Sequence, residues 1–210
     1  NFIDTPGLDD FVGGVVTSLQ VTDTALMLLN SCQGTEVGTE IQNRYLKKYN
    51  KPMILIANQM DHEKVNFDKT LEDAKNLWGN KVIQIQYPLN PGAGFDSIID
   101  VMKMKLLKWK PEGGAPEQLD IPASEKVKAE ELHNILVEAA AGNDDKLMEI
   151  FFETGTLNED QLLSGLKAGI ISRSIIPLLC TSGKKDMGVR RMMEFLGQVW
   201  AAATPVAKAE

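Results

Sequence analysis

The sequence FIDTPGLDDF occupies residues 2–11, and in it an apolar pair, Phe2 and Ile3, leads into the motif Asp4-Thr5-Pro6-Gly7. The pattern predicts a strand that ends at the aspartate. Because open α/β sheets bind ligands outside the carboxyl ends of their strands, a D-x-x-G at this position indicates a ligand site. Alone the motif is a weak signal, since Asp, Pro and Gly are also ordinary turn residues. Its meaning depends on the motifs that occur later in the chain.

Two more polar motifs come directly after apolar runs in the same way. Residues 53–58 read MILIAN and lead into NQMD at residues 58–61, while residues 175–181 read IIPLLCT and lead into TSGK at residues 181–184. Each motif has an ordinary alternative, an Asn-Asp helix start or a Ser-Gly turn. Three such motifs in order, each after a separate apolar run, favour a shared ligand site at one edge of a sheet.

The elements around these motifs predict an α/β domain with an insertion. In the first part, strands and helices alternate as in βαβ units, with strands at residues 24–30 and 53–58, a helix over 37–49, and a helix over 68–78 that has Asp68 as its N-cap and Gly79 as its stop. A strand over residues 175–181 and a helix over 189–199 restore this pattern at the end. The α/β domain therefore covers residues 1–79 and 175–210.

The intervening residues 80–174 predict an inserted α+β subdomain. Residues 81–87 and 98–104 read as strands of a hairpin-like sheet, and residues 124–152 read as one or two helices with a break at Gly142-Asn143. A capping box formed by Thr156 and Glu159 predicts a further helix that runs to Gly169.

Composition excludes several classes of protein. The 210 residues are 43% hydrophobic, and no apolar run approaches the length of a membrane span. A net charge of -7 argues against a surface that binds nucleic acid by neutralising phosphates. We therefore expect no membrane partner and no sequence-specific nucleic acid.

Taken together, the motifs resemble those of the translational GTPases, and of elongation factor G in particular. DTPGLDDF at residues 4–11 is similar to the family's DTPGHVDF, and residues 58–61 match its NKMD at every position but one. CTSGKKDMGV at residues 180–189 is similar to the family's last base-binding segment, while residues 94–104 and 131–151 resemble a subdomain inserted in the G domain of this factor. The resemblance implies a P-loop GTPase-type G domain with an inserted α+β subdomain.

The resemblance assigns nucleotide contacts to all three motifs. Asp4 holds Mg²⁺ through a water molecule, Asp61 accepts hydrogen bonds from guanine, Asn58 braces its loop, and the backbone N–H after Ser182 donates to guanine O6. The implied nucleotide-binding residues are Asp4, Thr5, Pro6, Gly7, Asn58, Gln59, Asp61, Ser182, Gly183 and Lys184.

Three positions depart from the family pattern. Leu8 stands where the family has a histidine that orients the attacking water, and leucine offers neither a donor nor an acceptor. We predict that this catalytic position is inactive. Gln59 stands at the family's lysine and lacks its charge, and Gly183 stands at an alanine and makes the loop more flexible. Whether the protein is an enzyme that hydrolyses GTP is therefore left open.

The chain contains no G-x-x-x-x-G-K-[ST], the P-loop motif whose amides and lysine hold the phosphates. The first switch, whose threonine binds Mg²⁺ in the family, is missing as well. We therefore interpret the chain as part of a longer protein, a G domain incomplete at its N-terminus. We expect GTP or GDP and Mg²⁺ to be cofactors of the whole protein and none to be bound by this chain.

The resemblance also implies a partner, the ribosome. In the family, the stalk protein of the ribosome docks on the helical part of the insertion, which here is the acidic stretch of residues 125–153. Glu131 and Glu138, two turns apart on one side of a predicted helix, are the expected contacts. The alternative is an ordinary solvated face.

The sequence thus predicts the GTP-binding domain of a cytoplasmic translation factor that is similar to elongation factor G and promotes ribosomal translocation. Two alternatives remain. One is a factor that binds GTP without hydrolysing it, and the other is an interaction module for the ribosome or its stalk with a vestigial nucleotide pocket.

Overall fold

A computed structural model of the chain describes residues 1–7, 9–111 and 114–199. The strands are β1 Ala25–Asn30, β2 Met53–Asn58, β3 Val82–Gln84, β4 Gln86–Pro88, β5 Ser97–Asp100, β6 Lys105–Lys108, β7 Glu117–Leu119 and β8 Ile176–Cys180. The helices are α1 Val12–Val21, α2 Val37–Lys48, α3 Phe67–Trp78, α4 Ala123–Ala141, α5 Asp145–Thr154, α6 Glu159–Ser172 and α7 Val189–Val199. Short 3₁₀ helices, Asp9–Phe11 and Gly79–Lys81, precede α1 and follow α3.

A parallel sheet with the order β1-β2-β8-β3 forms the centre of the chain. Its middle strands β2 and β8 are almost entirely buried, as expected where both faces of a parallel sheet are covered by helices. Asn30 is level with Asn58 and Ala57 is level with Cys180 in the strand register. The carboxyl ends of β1, β2 and β8 therefore lie side by side at one edge of the sheet.

An antiparallel sheet with the order β4-β5-β6-β7 joins the parallel sheet at Ile85. The Ile85 N–H donates to Leu178 O of β8 at 2.9 Å, and the Ile85 carbonyl accepts from the Val101 N–H at 2.9 Å. The chain thus changes sheet at this residue. Strand β3 belongs to the parallel sheet, although its residues fall within the predicted insertion of residues 80–174.

The helices α4, α5 and α6 follow the antiparallel sheet as a helical layer. The break that we predicted at Gly142-Asn143 separates α4 from α5. Gly165 of α6 lies so close to α4 that a Cβ there would be 2.5 Å from Ala140 O. This glycine permits the two helices to pack against each other, and Leu136 and Leu166 are fully buried.

Two predicted helix starts are wrong. Helix α3 begins at Phe67 with Asn66 as its N-cap, because Asn66 Oδ1 accepts from the Lys69 N–H at 2.9 Å, so Asp68 lies in the first turn. The capping box of α6 is formed by Asn158 and Gln161, whose side chain and backbone bonds are reciprocal at 2.9 Å, rather than by Thr156 and Glu159. Both errors have one cause: Asn, Asp and Thr are all good caps, and the sequence offers neighbouring choices.

Two predicted strands also differ from the structure. Residues 101–104 form a tight turn instead of extending β5, because Asp100 pairs directly with Lys105 of β6 and its carboxylate accepts from the Lys103 N–H. Residues 1–7 form no strand, and Phe2 and Ile3 are 57% and 52% exposed. A strand needs a neighbouring strand to bond its backbone, and these residues do not pair with β1, which forms the edge of the sheet.

The predicted fold class is confirmed in its architecture: the described residues form an α/β domain with an inserted α+β subdomain. Within the described ranges, none of the helices combines the length and the apolar composition that a bilayer crossing requires.

Candidate nucleotide-binding site

The loops after β2 and β8 are joined through the side chain of Asn58. Its Oδ1 accepts from the Gly183 N–H at 3.0 Å and from Thr181 Oγ1 at 3.2 Å. We call residues 58–61 and 181–187 the base loops. The parallel register of the two strands places both loops at the same edge of the sheet, so the structure brings together the two motifs that the sequence separates by more than a hundred residues.

A second contact joins the base loops through Asp61. Ser182 Oγ donates to Asp61 Oδ1 at 2.6 Å, a short hydrogen bond of the kind that charge assists. Ser182 is fully buried and is fixed by two backbone bonds with Met187, at 2.9 and 3.1 Å. The serine thus orients a half-buried carboxylate, which is an acceptor for paired N–H donors such as those on guanine.

The hydrogen-bond partner of the Gly183 N–H is not the expected one. We expected this donor to face guanine O6, and in the structure it donates to Asn58 Oδ1. The contact with the base stays a prediction. Lys184, the next residue of the motif, is exposed.

Gln59 contacts the loop after β1. Its backbone has a φ of 68°, a left-handed conformation, and its Oε1 accepts from Cys32 Sγ at 3.4 Å. Burial and the negative charge of Asp61 raise the pKa of the Cys32 thiol, with Lys64 acting in the opposite direction. At neutral pH the group is therefore a thiol donor, which matches the amide oxygen of Gln59.

Sequence reasoning missed Cys32 as a residue of this site, and it assigned no role to Thr181, the first residue of the TSGK motif. Both closely follow parallel strands whose ends are level, which is the signal that identified Asn58 and Ser182. Cys32 was not assigned to the site from its position after a strand end, because the loop after β1 carries no recognised motif.

The D-x-x-G segment lies near the amino end of β1, away from the base loops at the carboxyl ends of β2 and β8. Thr5 lines a cavity of about 380 Å³ between the N-terminal residues and β1, together with Leu19 and Met27. Within the described part of the chain, no hydrogen bond joins residues 4–7 to the base loops. Asp4, Pro6 and Gly7 are exposed, and Leu8 lies outside the described residues.

The residues present do not form a complete Mg²⁺ site. Magnesium takes six oxygen ligands, some of them water, and is usually bound by one or two carboxylates together with substrate phosphates. Over residues 1–7, 9–111 and 114–199 there is no group of three or more His, Cys, Asp or Glu side chains that could hold a metal ion. Asp4 alone is an exposed single carboxylate, so its assignment to Mg²⁺ rests on the resemblance.

Glu131 and Glu138 lie on α4, far along the chain from the base loops. Both are exposed, and Ile135 between them is 50% exposed on a helix whose other face contains buried Leu136 and Ala140. The spacing of these residues puts the two carboxylates and the isoleucine on one side of the helix.

Taken as a whole, the geometry is that of a binding site. The base loops offer the Asp61 carboxylate, which Ser182 holds in place, and such a group suits recognition of a planar base with paired N–H donors.

Comparison with known proteins gives two findings. Residues 1–201 match the family of the elongation factor Tu GTP binding domain. A crystal structure of a protein from Thermus thermophilus is similar to the chain with a TM-score of 0.85 and 23% identity, covering 95% of this chain and 30% of that chain. At this identity the likeness to the solved structure shows the fold alone. The family match covers nearly the whole sequence, and the chain therefore belongs to the family of elongation factor Tu GTP-binding domains.

Proposed function

We propose that the chain is the GTP-binding domain of a translation factor that is similar to elongation factor G and promotes ribosomal translocation in the cytoplasm. The observation that carries the proposal is the pair of contacts between the base loops, Asn58 with Gly183 and Asp61 with Ser182. The antiparallel sheet and the helices α4–α6 add support, since they correspond to the insertion that the sequence resemblance implies.

These contacts favour a working nucleotide pocket over a vestigial one. Polar groups from two distant segments are arranged in bonds of 2.6–3.2 Å, at least one of them to a fully buried serine. Buried polar groups are costly unless each finds its partner.

The experiment that tests the proposal uses the whole protein with and without ribosomes. Binding of GTP and GDP at micromolar or lower concentration supports a nucleotide-dependent factor, and its absence supports the interaction module. Phosphate release that ribosomes stimulate supports hydrolysis, while ribosome binding that requires GTP without phosphate release supports the factor that binds GTP without hydrolysing it.

Our first prediction concerns the 210 residues by themselves. We expect the chain to bind neither GTP nor GDP with a dissociation constant below about 10 µM, which corresponds to about -7 kcal/mol. The reason is that contacts to the base omit the phosphate groups, which a P-loop holds with backbone amides and a lysine. Isothermal titration calorimetry measures this directly, and tighter binding of either nucleotide contradicts the prediction.

A second prediction concerns the stalk protein as a partner. An acidic helix face suits a basic surface on the partner. Charge reversal at Glu131 and Glu138 is therefore expected to weaken binding of the stalk protein's C-terminal domain at least about fivefold, because the new positive charges would repel that surface. The matched control reverses Glu40 and Glu72, exposed residues of α2 and α3, so that the net charge changes equally. Equal affinities of the two double variants, measured by titration, would show that the face around Ile135 is not the docking surface.

A further inference from the structure

The loop that connects β4 and β5 contacts the base loop that follows β2. Within this loop, which we call the insertion loop and define as residues 90–96, the Gly92 N–H donates to Met60 O at 2.8 Å. The Met60 N–H in turn donates to Thr181 O at 3.2 Å, and the Met60 side chain is 0% exposed. The backbone of Met60, the neighbour of Asp61, is therefore held from both sides, once by the other base loop and once by the insertion loop.

The insertion loop also contacts the second base loop. Lys185 Nζ donates to Ala93 O at 3.4 Å, and Lys185 comes directly after the TSGK motif. Its N–H donates to Ser182 Oγ at 3.2 Å, the same hydroxyl that donates to Asp61. The insertion loop thus contacts both segments that form the candidate base site.

Internal bonds make the insertion loop a rigid part of the fold. Asn90 Nδ2 donates to Gly94 O and to Asp96 Oδ1, both at 2.8 Å, and Phe95, 1% exposed, donates its N–H to Gly92 O at 2.9 Å. Gly92 has a φ of 116°, which side chains rarely adopt, so glycine is needed at the residue that contacts Met60.

Electrostatic interactions of Asp96 also stabilise the insertion loop. Burial acts to raise the pKa of Asp96, but hydrogen bonds from Ser97 and Asn90, together with the positive charges of Lys108 and Lys185, outweigh it and hold the pKa below its usual value. The carboxylate is therefore charged at neutral pH, and it attracts the lysine that contacts Ala93.

From these contacts we infer that the insertion loop positions Asp61 and Ser182, so that the inserted subdomain sets how fast a guanine nucleotide leaves the site. This inference rests on the proposed GTP-binding function. Asn90 and Gly92 act through Met60, and Lys185 acts through Ser182, so they are positioning residues.

The test measures dissociation of fluorescent GDP from the whole protein by stopped flow. Asn90→Ala removes all three hydrogen bonds of the Asn90 side chain, two to Gly94 O and Asp96 Oδ1 and one from the Asp96 N–H. Because these bonds act on Asp61 only through the loop, we expect GDP release to speed up about fivefold to tenfold, the size of one net hydrogen bond. The matched control is Asn158→Ala, which removes the side-chain cap of α6 in the same insertion without touching the base loops. It is expected to leave the rate unchanged.

A second ligand separates positioning from general loosening of the fold. Inosine diphosphate lacks the exocyclic amino group that Asp61 accepts from, so a misplaced Asp61 costs it less. We expect Asn90→Ala to speed release of inosine diphosphate less than about twofold. The inference is overturned if Asn90→Ala speeds release of GDP and of inosine diphosphate equally, or if GDP leaves Asn90→Ala and Asn158→Ala at the same rate. Either result leaves the proposed function intact.

Two further outcomes are decisive. If the wild-type protein binds no GDP, the proposed function fails and this inference fails with it. If Asn90→Ala does not fold, Lys185→Met replaces it, because Lys185 is exposed and its loss leaves the core intact. That variant is expected to speed GDP release at least about twofold, the effect of losing one weak contact, and an unchanged rate contradicts the inference.

Discussion

Replacing Arg191 with methionine is expected to lower the free energy of unfolding by about 3 kcal/mol, the low end of the range for breaking a buried ion pair. Arg191 Nε donates to Asp100 Oδ2 at 2.6 Å, and the two side chains are 5% and 0% exposed. The methionine variant leaves the Asp100 charge buried with only Gln86 and the Lys103 N–H as donors. Part of the cost is offset, since the Arg191 Nη1 and Nη2 atoms have no hydrogen-bond partner among the described residues.

This pair joins α7 to β5 of the antiparallel sheet, so it links the α/β domain to the insertion. Urea denaturation of the chain, followed by fluorescence of the buried Trp78 and Trp109, measures the change. The control is Arg190→Met on the same helix, whose side chain is 75% exposed and pairs with Glu194. We expect the control to change stability by at most about 0.5 kcal/mol. Equal effects of the two variants contradict this account of the pair.

Replacing Leu8 with histidine is expected to raise ribosome-stimulated GTP hydrolysis by the whole protein at least about tenfold. A well-placed polar group that orients or polarises the attacking water contributes about 10² to 10⁴ in rate, or roughly 3 to 5 kcal/mol of barrier. Leucine supplies none of this. GTP-dependent binding to the ribosome should be unchanged, because the resemblance assigns magnesium and phosphate contacts to Asp4 and Gly7 and not to position 8.

The assay is phosphate release on ribosomes at saturating GTP, with wild type and Leu8→His compared side by side. A matched variant, Leu8→Met, keeps the apolar character and is expected to match the wild type. If the wild-type protein already turns over at about 1 to 100 per second, the range typical of kinases, another group positions the water and the interpretation of Leu8 is wrong.

The sequence predicted the parallel sheet well, because buried strands carry a continuous apolar signal. Met53–Asn58 was predicted at its observed bounds, and the strand ends correctly placed Asn58 and Ser182 at one edge. The sequence pattern did not predict α1. The residues of this helix, VGGVVTSLQV, include two glycines and several β-branched residues, which have low helix propensity. That helix depends on packing, through buried Leu19, rather than on local preference.

The contacts within the site could be predicted only in part. Motifs indicate which residues lie near the ligand, whereas the bonds between Ser182 and Asp61, or between Gly92 and Met60, connect segments that come together only in the folded chain. The crossing from one sheet to the other at Ile85 was missed for the same reason. Residues 81–87 alternate like one strand, and their division into β3 and β4 depends on two different partners.

The central claim is that the base loops recognise guanine, and equilibrium titration of the whole protein with GDP and ADP tests it most directly. Two charge-assisted hydrogen bonds to Asp61, each contributing about 1.5 to 3 kcal/mol, predict at least about a hundredfold preference for GDP. Asp61→Ala should abolish that preference. Equal affinities for GDP and ADP in the wild-type protein, or a preference for GDP that survives Asp61→Ala, would contradict the account.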